Sequence, residues 1–168
     1  MLHRRDVHHR EKGGALVGKT KRGKGTKLMV LADGAGTPLG VHVEKATPSE
    51  VKLVEQTLAN GRIGGRRAKR RRPKRLIADR GYDSNPLRAL LVKRDIEPII
   101  PARRNNRVAT HQDGRKLRRY KRRWIIERTN SWLQTFRRLV VRYERSATVF
   151  TALVHLACAL MTLKRVLG

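Results

Sequence analysis

An Asp33-Gly34 step stands between two apolar runs, and it fixes the first thing this chain must build. "TKLMVLAD" (26–33) reads as a strand, "DGAG" (33–36) as a turn and "TPLGVHVE" (37–44) as a returning strand. Asp-Gly between apolar runs is a strong hairpin signal, so an antiparallel pair forms the platform on which later elements pack. The turn accounts for Asp33 fully. "TPSEVKLVEQTLANG" (47–61) follows as a helix, with Thr47 as N-cap, Pro48 at the first helical position and Glu50 completing a capping box. Val51, Val54 and Leu58 form its apolar stripe, and Gly61 ends it.

After the hairpin, strand and helix alternate. "LIAD" (76–79) is a short strand, Asn85 and Pro86 open a helix through residue 94, and "EPIIPA" (97–102) is an edge strand bracketed by prolines. A long helix begins near Tyr120 and runs to about Val141, and an apolar helix from Ala147 closes the chain. This order predicts an α/β domain: a mixed sheet with helices on its faces. At 168 residues, one domain is expected.

Charge defines the partner. The chain has 41 Lys and Arg against 13 Asp and Glu, a formal net of +28. Such an excess repels itself unless a polyanion neutralises it, and nucleic acid is that polyanion. The basic residues cluster in two predicted loops, 62–75 and 103–119, with Arg70, Arg71, Arg72 and Lys74 the densest group. The longest apolar stretch, 149–163, has 15 residues and carries His155, short of the roughly 20 needed to span a bilayer; it reads as a buried core helix, with no membrane partner. "MLHRRDVHHREKGG" has no signal-peptide character, and the single Cys158 fits a reducing cytoplasm and excludes a Cys-based zinc site. His8 and His9 read as solvated residues of a basic terminal segment, 1–25.

Two carboxylates could carry chemistry. Asp79 follows a strand, where ligands gather in open α/β sheets, although an Asp before Gly is by itself turn chemistry. At about 100° per residue, the long helix puts Ile125, Ile126, Trp132, Leu133, Phe136, Leu139 and Val140 on one face. Tyr120, Arg123, Glu127 and Gln134 fall on a narrow stripe opposite. Glu127 lies four residues from Arg123, so it reads either as a neutralising partner or as a metal ligand facing DNA. Phosphoryl transfer by two metal ions needs hard oxygen donors, which a strand-end Asp and a helix-borne Glu provide. Trp132 reads as core; Trp124 lies nearer the polar side.

"IADRGYDS", together with Tyr120, two residues, Arg123, three residues, Glu127, resembles the DDE transposases of bacterial insertion sequences, in the branch typified by insertion sequences four and five. "GKTKRGKGTKLMVLADG" and "FRRLVVRYERSATVF" are also similar, so the resemblance covers about residue 13 to the end. It implies an RNase H-like catalytic domain over 26–168, with Asp79 as the second and Glu127 as the third catalytic, metal-binding carboxylate. It also implies Mg²⁺ or Mn²⁺ as cofactor, and Tyr120 and Arg123 against the DNA backbone. The implied reaction is strand cleavage at transposon ends followed by strand transfer into target DNA. A homodimer or a separately encoded N-terminal half would be the protein partner, in a bacterial cytoplasm at the nucleoid. Two positions depart from the pattern. Gln134 stands where a Lys is expected, and the first catalytic Asp is absent near Arg4, with Asp6 as the neighbouring substitute. The expectation is therefore a truncated or frameshifted catalytic portion whose first strand is missing or incomplete. The alternative is a non-catalytic basic remnant that binds DNA and partners or inhibits an intact transposase.

Overall fold

The computed structural model describes residues 7–9, 14–20, 23–61, 73–103 and 117–168. Its strands are β1 (Val7–His9), β2 (Gly18–Thr20), β3 (Gly23–Ala32), β4 (Pro38–Lys45), β5 (Arg75–Ile77) and β6 (Glu97–Ile99). Its α-helices are α1 (Glu50–Asn60), α2 (Asn85–Lys93), α3 (Trp124–Gln134), α4 (Arg137–Val140) and α5 (Ala147–Leu167). Two 3-10 turns, η1 (Arg80–Tyr82) and η2 (Arg118–Arg123), precede α2 and α3.

The predicted hairpin forms as β3 and β4, with Leu28 opposite Val43 and Val30 opposite Val41. The segment 1–25 is more than a polar tail: β1 and β2 pair antiparallel with the first residues of β3, on its two edges. Polar and glycine-rich strands leave no alternating pattern to read, which is why sequence periodicity missed them. The predicted mixed sheet forms in part among the described residues. β1 to β4 form one antiparallel sheet, β5 and β6 a separate parallel pair, and no ladder joins them among the described residues.

The two sheets nevertheless act as one layer. Residues 25–32 of β3 are all buried, because both of its faces are covered. Leu28, Val30 and Ala32 join Ile77 and Ile99 beneath Ile125, Ile126, Leu133, Phe150 and Val154 of α3 and α5. Met29 and Leu31 join Leu76, Ala78 and Ile100 beneath Leu53, Val54, Leu87 and Leu91 of α1 and α2. Along one edge of β3, β1 pairs only with residues 25–27, so Leu28 to Ala32 have no partner strand there among the described residues.

Local chemistry shifts several boundaries. α1 starts at Glu50 with Ser49 as N-cap, not Thr47. The buried Lys27 ammonium donates to the Pro48 carbonyl and pairs with Glu50 at 3.3 Å. That pull keeps Pro48 outside the helix and takes Glu50 away from a capping box. Leu53, Val54 and Thr57 form the buried face. α1 ends against β4 at Gly61, where a Cβ on Gly40 would sit 2.6 Å from the Gly61 Cα, so only glycine permits this approach. The long helix expected from Tyr120 to Val141 is broken: it begins as η2 and stops at Thr135. Phe136 is extended (ψ 100°), which re-aims the chain so that α4 can bury Leu139. Arg75 is in β5 rather than loop 62–75, and Arg118 and Arg119 are in η2 rather than loop 103–119.

The apolar final helix is not a buried core helix. It spans 21 residues, and only Phe150, Val154 and Ala157 are fully buried. Length and hydropathy alone would let it cross a membrane, yet those three residues sit in the core shared with the sheet. Burial pushes the Cys158 thiol up to about 11, so it stays protonated near neutral pH.

Candidate functional site

Asp79 leaves β5 in extended conformation and caps η1, accepting the Gly81 amide on Oδ1 at 2.6 Å. It is half-buried, and its other carboxylate oxygen has no protein partner among the described residues. The turn that presents it is rigid for reasons outside Asp79 itself. Tyr82 is fully buried in the α1–α2 core, and the Ala78 amide donates to the Ile99 carbonyl at 3.2 Å. Asp83, whose carboxyl is fully buried, accepts from Arg88 Nη2 at 2.9 Å and from the Arg103 amide at 2.7 Å. The Arg103 side chain then donates to the carbonyls of Arg80 and Gly81. Asp83 therefore orders the turn and does not cap α2, whose N-cap is Ser84.

Glu127 is placed by helix geometry instead. The opposite face of α3 buries Ile125, Ile126, Thr129, Asn130 and Leu133, which turns Glu127 half-exposed toward solvent. Its carboxylate pairs with Arg123 at 2.9 Å, and the Arg123 guanidinium stands 5.5 Å from the Tyr120 ring centre. Tyr120 and Arg123 are three apart in a 3-10 turn, where such residues eclipse each other. The predicted stripe thus forms, with one correction: Tyr120 packs partly against the core.

Asp79 and Glu127 do not share a hydrogen bond or ion pair, and no group of three His, Cys, Asp or Glu gathers among the described residues. Lys74 is exposed just before β5. Arg70, Arg71, Arg72, Asp6, His8 and His9 cannot be placed as side chains: they lie outside the residues so described. A cleft of about 360 Å³ opens elsewhere, where Leu31, Ala32 and Ile77 meet Arg75, Arg119 and Arg122; neither carboxylate lines it.

Trp132 is not core. Trp124 and Trp132 are both exposed, and Arg128 lies between their rings at 4.7 and 4.8 Å. Their spacing of four residues on each side of Arg128 carries that ladder, which an apolar-face reading overlooks. Arg88 and Arg103 were missed as supports of the Asp79 turn. Arg103 reaches Asp83 across 20 residues, and nothing in the local sequence marks such a bond.

The transposase DDE domain model matches residues 5–162. A protein named as the transposase for insertion sequence element IS402 of Burkholderia cepacia is 39% identical over 146 residues, covering 84% of this chain and 65% of the relative. One named for insertion sequence element IS6501 of Brucella ovis is 32% identical over 142 residues, covering 83% of this chain and 98% of the relative. The chain thus spans about two thirds of the IS402 relative. No solved structure matches it significantly. The motif around Asp79 and the Tyr120–Arg123–Glu127 stripe lie within the matched span, and the chain belongs to the transposase DDE domain family.

Proposed function

We propose that this chain is the catalytic portion of an insertion-sequence transposase, cutting DNA at element ends and transferring the 3′ end into target DNA. The observation that carries this reading is the Asp79 turn. Arg88, Arg103 and the buried Asp83 and Tyr82 hold it, and one oxygen of Asp79, beyond a strand end, has no partner among the described residues. An RNase H-like sheet is part of the proposal. It is supported by the edge of β3 from Leu28 to Ala32, which carries no partner strand among the described residues, and by the cores that β3 and β5 share.

Asp79 and Glu127 offer hard oxygen donors, the chemistry that suits Mg²⁺ or Mn²⁺. Both are accessible, and the Arg123 contact on Glu127 is an exposed pair that is cheap to break. A divalent ion held there would supply Lewis acidity, lowering the pKa of a water or 3′-hydroxyl and stabilising the leaving oxygen. Tyr120, Arg123 and Lys74 would meet the sugar–phosphate backbone, with Arg70, Arg71 and Arg72 of the adjoining basic sequence adding grip without reading sequence. Asp6 is the candidate for the remaining carboxylate. The setting is a bacterial cytoplasm with DNA as the partner.

The test is nicking of supercoiled plasmid by the full chain with Mg²⁺ or Mn²⁺, beside Asp79→Ala and Glu127→Ala. We expect metal-dependent nicking that both substitutions abolish while salt-sensitive DNA binding stays nearly intact. Binding lost in step with nicking would make both residues structural. Binding without any nicking would leave the non-catalytic DNA-binding remnant as the correct reading.

A further inference from the structure

The β2–β3 hairpin sets Gly18 opposite Gly25, Lys19 opposite Lys24 and Thr20 opposite Gly23. Directly opposed residues share a face, so two ammonium side chains project side by side, and like charges in that position destabilise a hairpin. Both lysines are exposed, and neither side chain makes a hydrogen bond or ion pair among the described residues. No acid occurs in the sequence between Glu11 and Asp33 to neutralise them locally. The hairpin is nonetheless fixed at its base. On its other face a Cβ on Gly18 would lie 2.4 Å from the Thr47 hydroxyl, and the Ala46 amide donates to the Gly25 carbonyl at 3.3 Å. The glycine face thus lies against the segment between β4 and α1. Two residues beyond Lys24, on the lysine face, the Thr26 hydroxyl donates to the Leu16 carbonyl at 2.7 Å and accepts from Arg142. Strand alternation puts Lys24, Thr26 and Leu28 on the side of β3 against which α3 and α5 pack.

We propose that the opposed Lys19–Lys24 pair is a phosphate clamp for duplex DNA, a contact separate from Asp79, Glu127 and the Tyr120–Arg123 stripe. It rests on DNA as the partner in the reading above, and not on the catalysis. A polyanion between the two ammonium groups turns their mutual repulsion into attraction, which nothing described in the free protein does. Lysine is a point charge without the planar fork that reads a base edge, so the pair takes the backbone and ignores sequence. The hairpin "GKTKRGKG" (18–25) has no aromatic residue, whereas proteins that grip single strands stack the bases on aromatic side chains. Two cations held at a fixed spacing by a braced hairpin suit the regularly spaced phosphates of a stiff duplex.

The experiment titrates random-sequence duplex DNA with the full chain, without divalent metal, over roughly 0.05–0.3 M NaCl, and reads binding by fluorescence anisotropy. Lys19→Ala with Lys24→Ala should make the log–log slope of affinity against salt shallower by about 1.8, two contacts at about 0.9 each. That corresponds to roughly a 30-fold loss at 0.15 M. Lys52→Ala with Lys93→Ala removes the same charge from exposed positions on α1 and α2, which pack on the other side of β3, and should change the slope by less than about 0.5. Lys19→Glu separates binding from folding. It opposes Lys24 with a carboxylate, so the thermal midpoint of the free chain should rise by about one to three degrees while duplex affinity falls. A residue needed only for the fold would move both in the same direction. An unchanged slope in the hairpin double variant overturns the proposal, as does an equal change in the α1–α2 control. An equal or larger loss on single-stranded DNA, or a midpoint that Lys19→Glu lowers, overturns it too. None of these readouts uses cleavage, so a chain that binds duplex without nicking it fails the catalytic reading and leaves the clamp standing.

Discussion

Asp33 and Asp79 both stand at the end of a strand, and both accept a backbone amide two residues on, from Ala35 and Gly81 respectively. Beyond that bond they diverge. Asp33 Oδ1 accepts a second amide, from Thr37, at 2.8 Å, and its turn lies under two helices: Arg128 and Thr129 of α3 and Arg165 of α5 all donate to the turn carbonyls. Among the described residues Asp79 makes only the one bond, and Asp83 holds its turn in its place. Turn chemistry at a strand end therefore does not by itself say whether a carboxylate is needed to hold its turn. The separation lies in which other residue relieves the aspartate of structural duty.

If that division is right, the largest loss of stability in the 79–83 motif belongs to Asp83. Its carboxyl is fully buried against Arg88, itself mostly buried. Asp83→Ala removes one partner of a buried ion pair and strands the guanidinium, which costs about 3–5 kcal/mol. It also releases the Arg103 amide. Chemical denaturation should show that drop; a loss under about 1 kcal/mol, within the range of ordinary surface substitutions, would mean that the turn is held elsewhere.

Asp33→Ala comes next. Losing two short bonds from backbone amides to a carboxylate should cost about 1–2 kcal/mol at neutral pH, given the partial exposure of the group. The pH dependence sharpens this. Burial pushes the Asp33 carboxyl up, but the Thr37 and Ala35 amides and the nearby Arg165 outweigh it and hold it below its ordinary 3.8. A carboxyl lowered by folding contributes fully above its unfolded value and loses that contribution as pH falls through the folded one. The gap between wild type and Asp33→Ala should therefore be constant above 3.8 and close in more acid solution. A gap independent of pH would assign the effect to packing and remove the charge from the comparison.

Much of the frame was legible in the sequence because local chemistry decides it: the Asp-Gly hairpin, Gly61 closing α1, and the helix opened by Asn85 and Pro86. What escaped depends on residues far apart. The start of α1 moved because Lys27, on a distant strand, takes the Pro48 carbonyl and Glu50. The break at Thr135 follows from a hydroxyl that donates to the Trp132 carbonyl and from burial of Leu139, and no Gly or Pro announces it. In α5 an apolar helix reads the same whether its second face meets a core, a membrane or another copy, so exposure had to come from the fold. Of the candidate site, the Tyr120–Arg123–Glu127 spacing was legible and formed as one stripe, because three residues of 3-10 and four of α-helix both return a side chain to nearly the same side. The support of Asp79 by Arg88 and Arg103 was not, since neither spacing belongs to a helix or hairpin.

The smallest change in stability should come from Asp79→Asn. Asparagine keeps an Oδ1 acceptor for the Gly81 amide, and the anchors at Tyr82, Asp83 and Arg103 are untouched, so stability should stay within about 0.5 kcal/mol. The substitution halves the donor capacity of the group and removes its charge, which matters only to a cation. Divalent metal added at about ten times its dissociation constant should stabilise the wild type by about 1.4 kcal/mol through linkage, a few degrees in midpoint. Thermal unfolding with and without Mn²⁺ reads both quantities on the same two samples. Equal metal-free midpoints with a Mn²⁺ shift only in the wild type would confirm an aspartate freed from structural work for metal binding. A large metal-free loss would make Asp79 a second Asp33, and equal Mn²⁺ shifts in both proteins would move the ion to other carboxylates.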